Sequence, residues 1–226
     1  MEITYYGHSC FLVNIGDFRV LFDPFISPNP KAANIDINTI EADYILLSHG
    51  HNDHMADLEA IAKRTGATVI ANFEIVTWLR KKGLENTVAM NIGGKVTMDF
   101  AIVKMVRAVH SSQLPDGSYG GAPAGFIIET GESTFYYSGD TALHLDMKLI
   151  PDMNHIDFAF ISLGDTYTMD VEDAIVASNF VGTKKIIGMH FDTWPDIEID
   201  HETSVLMASR NERELILMDI GETIKM

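Results

Sequence analysis

The sequence predicts an α/β (α+β) protein in four layers, with two β-sheets packed face to face and helices on their outer surfaces. Three observations predict it. Short runs of β-branched and aromatic residues recur along the whole chain. Helical patterns separate some of these runs and not others. The order is strands first, then strand–helix units, then the same again. Two facing sheets with helices outside use every segment of that order. No Pro/Gly/Ser-rich linker or low-complexity run interrupts the 226 residues, so they read as one domain, 1–226, long enough to bury a sizeable core.

The first runs are Ile3–Tyr6, Cys10–Ile15 and Phe18–Phe22, with turns at Gly7 and Gly16-Asp17, an antiparallel meander. Tyr44–Leu47, Thr68–Ala71, Thr87–Met90 and Phe100–Val109 follow as strands. Helical patterns run from Asp53 to about Thr65 and from Phe73 to about Lys82, and Gly66 and Gly83 stand where helix C-caps belong. The second half offers strands at Ala124–Glu129, Ser133–Ser138, Phe158–Leu163, Lys185–Met189 and Leu215–Met218, and helices from Val171 to about Val181 and from His201 to about Ser209. Asp170 before Val171-Glu172-Asp173 reads as an N-cap with an acidic first turn. DYILLSHGHNDHMADL and STFYYSGDTALHLDM echo each other, each running from an apolar strand through Ser into His and Asp. A two-halved fold would produce such an echo.

Charge narrows the function. Sixteen Lys and Arg against 32 Asp and Glu leave a formal net charge of −16, with too few cations for a basic face. Nucleic acid and anionic membrane surfaces are therefore poor partners. One cysteine, Cys10, excludes an intrachain disulfide framework and suits a reducing compartment. No stretch approaches the ~18 apolar residues of a membrane span. The N-terminus has no basic n-region, so the expected location is cytoplasmic.

The nine histidines are not scattered. Three of them lie in Ser48-His49-Gly50-His51-Asn52-Asp53-His54, an H-x-H-x-D-H run that composition alone would produce with a frequency of order 10⁻³. The plain alternative is a solvated polar loop, but the run follows the apolar Tyr44–Leu47 and carries Gly50 for backbone room. His49 and His51 leave an extended segment on one side, whereas Asp53 and His54 open a helix and point elsewhere. One segment can thus serve two adjacent metal ions. Other strands also stop at a His or Asp: His110 closes Ala101–Val109, Asp140 follows Phe135–Ser138 and Gly139, and His190 closes Ile186–Met189. Converging strand ends would collect His49, His51, Asp53, His54, His110, Asp140 and His190. Five imidazoles and two carboxylates suit zinc best, with manganese and iron as alternatives.

The H-x-H-x-D-H run followed by an isolated His, an Asp and a His resembles the metallo-β-lactamase-fold hydrolases, over nearly the whole chain from Phe22-Asp23-Pro24 to Gly188-Met189-His190. The blocks TYYGHSCF, LFDPF, SHGHNDH, PAGFIIE, YYSGDT and MHFDTWP are similar to a narrower group, the small metal-dependent hydrolases related to ascorbate-6-phosphate lactonase. The resemblance implies an αββα metallo-β-lactamase sandwich with its site at one edge. It implies that His49, His51 and His110 bind one metal, that Asp53, His54 and His190 bind a second, and that Asp140 bridges. It also implies a supporting place for Asp23 behind the ligands. His51 in place of Glu argues against the oxygen-reducing di-iron flavoproteins. Asp140 in place of Cys lowers the case for antibiotic cleavage.

The expected function is hydrolysis of a small ester, lactone or phosphorylated metabolite, with two divalent ions generating hydroxide from a shared water. Asp53 is placed to orient that hydroxide or hold a proton. A phosphodiesterase or nuclease of the same fold, and a metal-binding module without catalysis, are the competing readings. The expected partner is a small-molecule substrate, with a homo-oligomer also allowed. His8 at a tight turn is a candidate substrate contact or proton donor at the pocket rim, or else a hydrogen-bonded turn residue. Ser111–Gly121 reads as a loop over the substrate, with Tyr119 as its contact. Cys10 reads as core, and His144, His155 and His201 as surface or helix-end residues.

Overall fold

In the computed structural model, which describes all residues Met1–Met226, the N-terminal meander forms as expected. β1 (Glu2–Gly7), β2 (Cys10–Ile15) and β3 (Phe18–Phe22) pair antiparallel. Three strands then add in parallel: β4 (Tyr44–Leu46) on β3, β5 (Thr68–Asn72) on β4 and β6 (Thr87–Met90) on β5. Parallel neighbours require crossovers. These are supplied by α1 (Asn52–Met55) with α2 (Leu58–Thr65), and by α3 (Phe73–Lys81). The second sheet repeats the plan. β7 (Lys95–Thr97), β8 (Ile102–Arg107), β9 (Ala124–Glu129) and β10 (Thr134–Tyr137) run antiparallel. β11 (Phe158–Ser162), β12 (Lys185–Met189) and β13 (Glu214–Ile216) then add in parallel, with α4 (Val171–Val181) and α5 (His201–Arg210) between them. β14 (Thr223–Lys225) returns to the free edge of β1.

Alternation along the strands builds the layers. Val20 and Phe22 of β3 and Tyr44 and Leu46 of β4 enter the core between the sheets, where they meet Phe126, Phe135, Tyr137 and Phe160 of the second sheet. Leu21 and Ile45, one residue out of phase, pack instead under α1–α3 with Leu58, Ile61 and Leu79. Ile127, Tyr136 and Ile161 do the same under α4 and α5. This is the αββα sandwich of the sequence reading. No helix is long and apolar enough to cross a membrane.

The structure departs from the expected elements in a few places. The single helix expected from Asp53 to Thr65 is two, because the Asp57 carboxylate is taken by Ile26 N (2.6 Å) and Ser27 N (2.8 Å) of the segment after β3. β7 and β14 carry no apolar run and lie at sheet edges. The two echoing segments do not occupy equivalent places: β4 begins the parallel half of its sheet, whereas β10 ends the meander of the other. The strand equivalent to β10 is β3, and each leads into an aspartate, Asp140 and Asp23.

Candidate metal centre

The site lies where strand ends of both sheets meet. After β4 the chain is hung between the sheets: Ser48 N donates to Asp23 Oδ1 (2.8 Å), and Ala124 N donates to Ser48 O (3.0 Å). His49 follows, fully buried, and His51 ends the extended segment with ψ 147° before α1 turns Asp53 and His54 in another direction. His110 and Asp140 each come three residues after their strands, β8 and β10, and His190 directly follows β12. Gly139 allows the approach of Asp140. Its φ is 59°, and a Cβ there would stand 2.6 Å from Ala124 O and 2.9 Å from Ser48 Cβ.

All seven predicted ligands converge. Ligand atoms of His49, His51 and His110 lie within 4.8 Å of one another; so do those of His49, His54 and Asp140, and those of Asp53, His54 and His190 together with His8. Nε2 of His49 and Nδ1 of His51 stand 2.9 Å apart. Asp140 Oδ2 is central, 3.0 Å from His190 Nε2, 3.1 Å from His54 Nε2, 3.7 Å from His110 Nε2 and 3.9 Å from His49 Nε2. Asp53 Oδ2 lies 3.9 Å from Nε2 of both His54 and His190. The donor set fits divalent ions: five imidazoles and two carboxylates gather in overlapping clusters, and Asp140 Oδ1 is buried without a hydrogen-bond partner.

Behind these residues a layer of hydrogen bonds orients them. Asp23, fully buried, accepts from Ser48 Oγ (2.6 Å) and Tyr137 OH (2.8 Å) at Oδ2, which also lies 2.8 Å from His54 Nδ1. Ser48 Oγ is 2.9 Å from His49 Nδ1. Asp23 thus lies behind His54 and beside Ser48 and Tyr137. His8 does not stand at a rim. Its side chain is fully buried, with Nε2 3.2 Å from Asp53 Oδ2 and Nδ1 2.8 Å from Thr193 Oγ1. Its carbonyl accepts from His190 N (2.8 Å) and Tyr5 OH (3.1 Å), which holds the residue at φ 57°. His8 therefore braces Asp53 instead of facing solvent.

Burial and neighbours set the charges. Burial first, then His54, holds the His49 imidazole well below its usual range, and burial lowers His51 and His110 as well. Burial also pushes His8 down to about 3, with His190 adding to the effect. These rings present free lone pairs. Burial opposes charge on His54 too, but Asp140 and Asp23 on either side outweigh it and raise that ring. Burial alone would raise Asp140, and His190 and His54 reverse the effect. For Asp53 the hydrogen bond from His8 likewise overcomes burial and keeps the carboxyl ionised.

A cavity of 330 Å³ opens over this cluster, lined by His51, Asp53, His110, Ser111, Asp140, Tyr167, His190 and Trp194. Of the expected covering loop only Ser111 reaches it. The rest is tied down elsewhere: Ser112 Oγ accepts from Gly50 N (3.1 Å), Leu114 is buried, and Gly120 O accepts from Asn72 Nδ2 (2.7 Å). Tyr119 is 69% exposed and does not line the cavity. The aromatic walls are Tyr167 and Trp194, which the sequence reading missed. For Trp194 a signal exists, an aromatic close behind His190; for Tyr167 there is none. Cys10 is core, its thiol pushed up by burial. His155 and His201 are exposed, and His144 is half-buried at the start of the short helix Leu145–Leu149.

Residues 2–190 match the family model of the beta-lactamase superfamily domain. A UPF0173 metal-dependent hydrolase of Flavobacterium johnsoniae is 50% identical over 226 residues, all of both chains. The UPF0173 metal-dependent hydrolase YtkL of Bacillus subtilis is 41% identical over 231 aligned positions, again all of both chains. Among solved structures, Igni18, a metallo hydrolase of Ignicoccus hospitalis, superposes with a TM-score of 0.89 at 30% identity, covering 99% of this chain and 97% of its own.

Proposed function

The chain belongs to the UPF0173 metal-dependent hydrolases of the beta-lactamase superfamily, and on that premise we propose that it cleaves a small ester or lactone with two divalent ions as cofactors. The carrying observation is the convergence of seven donors into clusters linked through His49 and His54, with Asp140 Oδ2 about 3 Å from both His54 and His190. In this reading His49, His51 and His110 would hold one ion, Asp53, His54 and His190 would hold the other, and Asp140 would serve both. Zinc suits the imidazole-rich set best, with manganese and iron as alternatives. Ions bound there would supply the Lewis acidity that ionises water and stabilises negative charge on a carbonyl oxygen.

The protein's own groups do the rest. Asp53, kept ionised and braced by His8, is the carboxylate on the cavity floor able to take a proton from an attacking water and return it to the leaving oxygen. Asp23, Ser48 and Tyr137 keep the imidazoles from rotating. The cavity walls limit entry to small molecules, and the −16 charge argues against nucleic acid as substrate. The test is elemental analysis of the purified protein followed by an ester, lactone and phosphodiester panel on the same sample. Two divalent ions per chain with ester or lactone turnover is expected. Metal-free protein, or turnover confined to phosphodiesters, would overturn the reading.

A further inference from the structure

Among the residues that line the cavity over the candidate ligands there is no Lys or Arg. The absence extends to the segments that surround it. Residues 49–57, 110–122, 138–147, 163–169 and 190–200 contain no Lys or Arg, yet they carry Asp116, Asp165, Asp192, Asp196, Glu198 and Asp200. A phosphate monoester remote from the scissile bond would find no guanidinium or ammonium in the cavity to hold it. Instead the cavity has two aromatic walls.

Those walls are built rather than incidental. Trp194 packs its ring edge-on to His8 (centroids 5.1 Å) and beside Phe25 (6.0 Å). Its loop is pinned at Asp192, whose carboxylate lies 2.6 Å from His201 Nε2 and accepts from Ile199 N (3.0 Å). Tyr167 is half-exposed and is delivered by two consecutive left-handed residues, Asp165 (φ 62°) and Thr166 (φ 49°). Non-glycine residues persist in that conformation only when their surroundings enforce it, and such positions cluster at functional sites. Thr166 Oγ1 donates to Asp196 O (2.8 Å), tying the tyrosine loop to the tryptophan loop.

We infer that the substrate is a compact, uncharged carbonyl compound with a flat unsaturated flank, which lies against Trp194 and Tyr167 while its reacting carbon faces Asp53 and Asp140. This rests on the ester and lactone reading above and narrows it by excluding phosphorylated metabolites. A cavity of 330 Å³ is near the lower end for small-molecule sites and leaves little room beyond one ring and its ester. Flat groups suit such walls because π faces stack without needing a polar partner.

The test compares phenyl acetate, ethyl acetate and 4-acetoxyphenyl phosphate, which share one scissile acetyl ester. Phenyl acetate should have the highest kcat/KM, with the phosphate at least about tenfold lower. Trp194→Ala and Tyr167→Ala should each raise KM for phenyl acetate roughly 3- to 10-fold, as stacking contacts of this size predict, and should lower the phenyl-to-ethyl acetate ratio of kcat/KM several-fold. Trp78→Phe leaves Trp194 as the sole tryptophan. Its emission should then respond to acetophenone, an uncleavable neutral ketone, and not to phenyl phosphate. Preference for the phosphorylated ester, or Trp194 emission indifferent to acetophenone, would overturn the inference. If no acetate is cleaved yet acetophenone still moves the emission, the ester reading falls and the aromatic platform stands.

Discussion

Asp23 and Asp140 hold the same imidazole from opposite sides. Oδ2 of Asp23 lies 2.8 Å from Nδ1 of His54, and Oδ2 of Asp140 lies 3.1 Å from its Nε2. The two aspartates follow equivalent strands, β3 and β10, of different sheets. Asp23→Asn should therefore strike both stability and metal retention, since the amide offers donors where Ser48, Tyr137 and His54 also donate. We expect a loss of about 3 kcal/mol in chemical denaturation, as for other broken buried pairs. Metal affinity should fall ~10–100-fold in competition titrations. Wild-type affinity in a destabilised variant would reduce Asp23 to a packing role.

Flanked by two carboxylates, His54 keeps a proton near neutrality in the ion-free protein. An ion must displace it. Calorimetric loading with zinc at pH 7, in buffers of different ionisation enthalpy, should show net proton release. His49, His51 and His110 contribute little to that release, because burial already lowers their affinity for a proton. Loading without proton release would contradict this charge assignment.

His8 should act on metal binding only through Asp53. His8→Ala frees Asp53 Oδ2 from its 3.2 Å contact and, on the proposed two-ion assignment, should weaken the ion at Asp53 ~10-fold or more and spare the one at His49, His51 and His110. His8→Gln keeps a donor near the same point and should recover part of the loss. Equal weakening of both ions would mean that His8 supports the β1–β2 turn and not the carboxylate.

Gly139→Ala puts a methyl 2.6 Å from Ala124 O in a left-handed backbone. Strain of that kind costs roughly 1–3 kcal/mol, and relief requires Asp140 to move. The variant should lose melting temperature and ion stoichiometry together. A stable variant with both ions bound would show that the Asp140 turn tolerates another path.

Burial lowers the His144 ring from its ordinary 6.5, outweighing Asp146, while Arg107 adds to the lowering. The unfolded chain then binds a proton at 6.5 that the native ring takes up only at lower pH. Its contribution to stability is full above about pH 6.5 and declines as pH falls below it. The melting temperature of His144→Gln should decline less steeply than that of the wild type between about pH 6.5 and 5. Parallel curves would show the ring to be solvated.

Much of this architecture was legible in the chain. Val20-Leu21-Phe22 and Tyr44-Ile45-Leu46 read as strands because sheets buried on both faces leave near-continuous apolar runs. His110, Asp140 and His190 were legible because each breaks such a run at its end. Thr193, Trp194 and Tyr167 were not, because their roles depend on tertiary neighbours: Thr193 reaches back across the chain to His8, and Tyr167 depends on the backbone of Asp165 and Thr166. Tyr119 misled for a related reason. A glycine-rich loop beside a predicted ligand looks like a lid, yet Leu114 and Asn72 anchor this one beside α3. Asp57 likewise gave no sign that it would serve Ile26 and Ser27 and so divide a helix.

The donors around Asp140 come from both sheets, from His49 after β4 to His190 after β12. With a single cysteine the chain cannot brace itself covalently. Divalent ions held there would be its only cross-link, closing most of the chain into a loop. A covalent closure of comparable length removes about 5 kcal/mol of denatured-state entropy. The lifetime of the folded protein would then follow the supply of free ion: a cell starved of metal would lose the protein itself, by unfolding and proteolysis, and not only its activity.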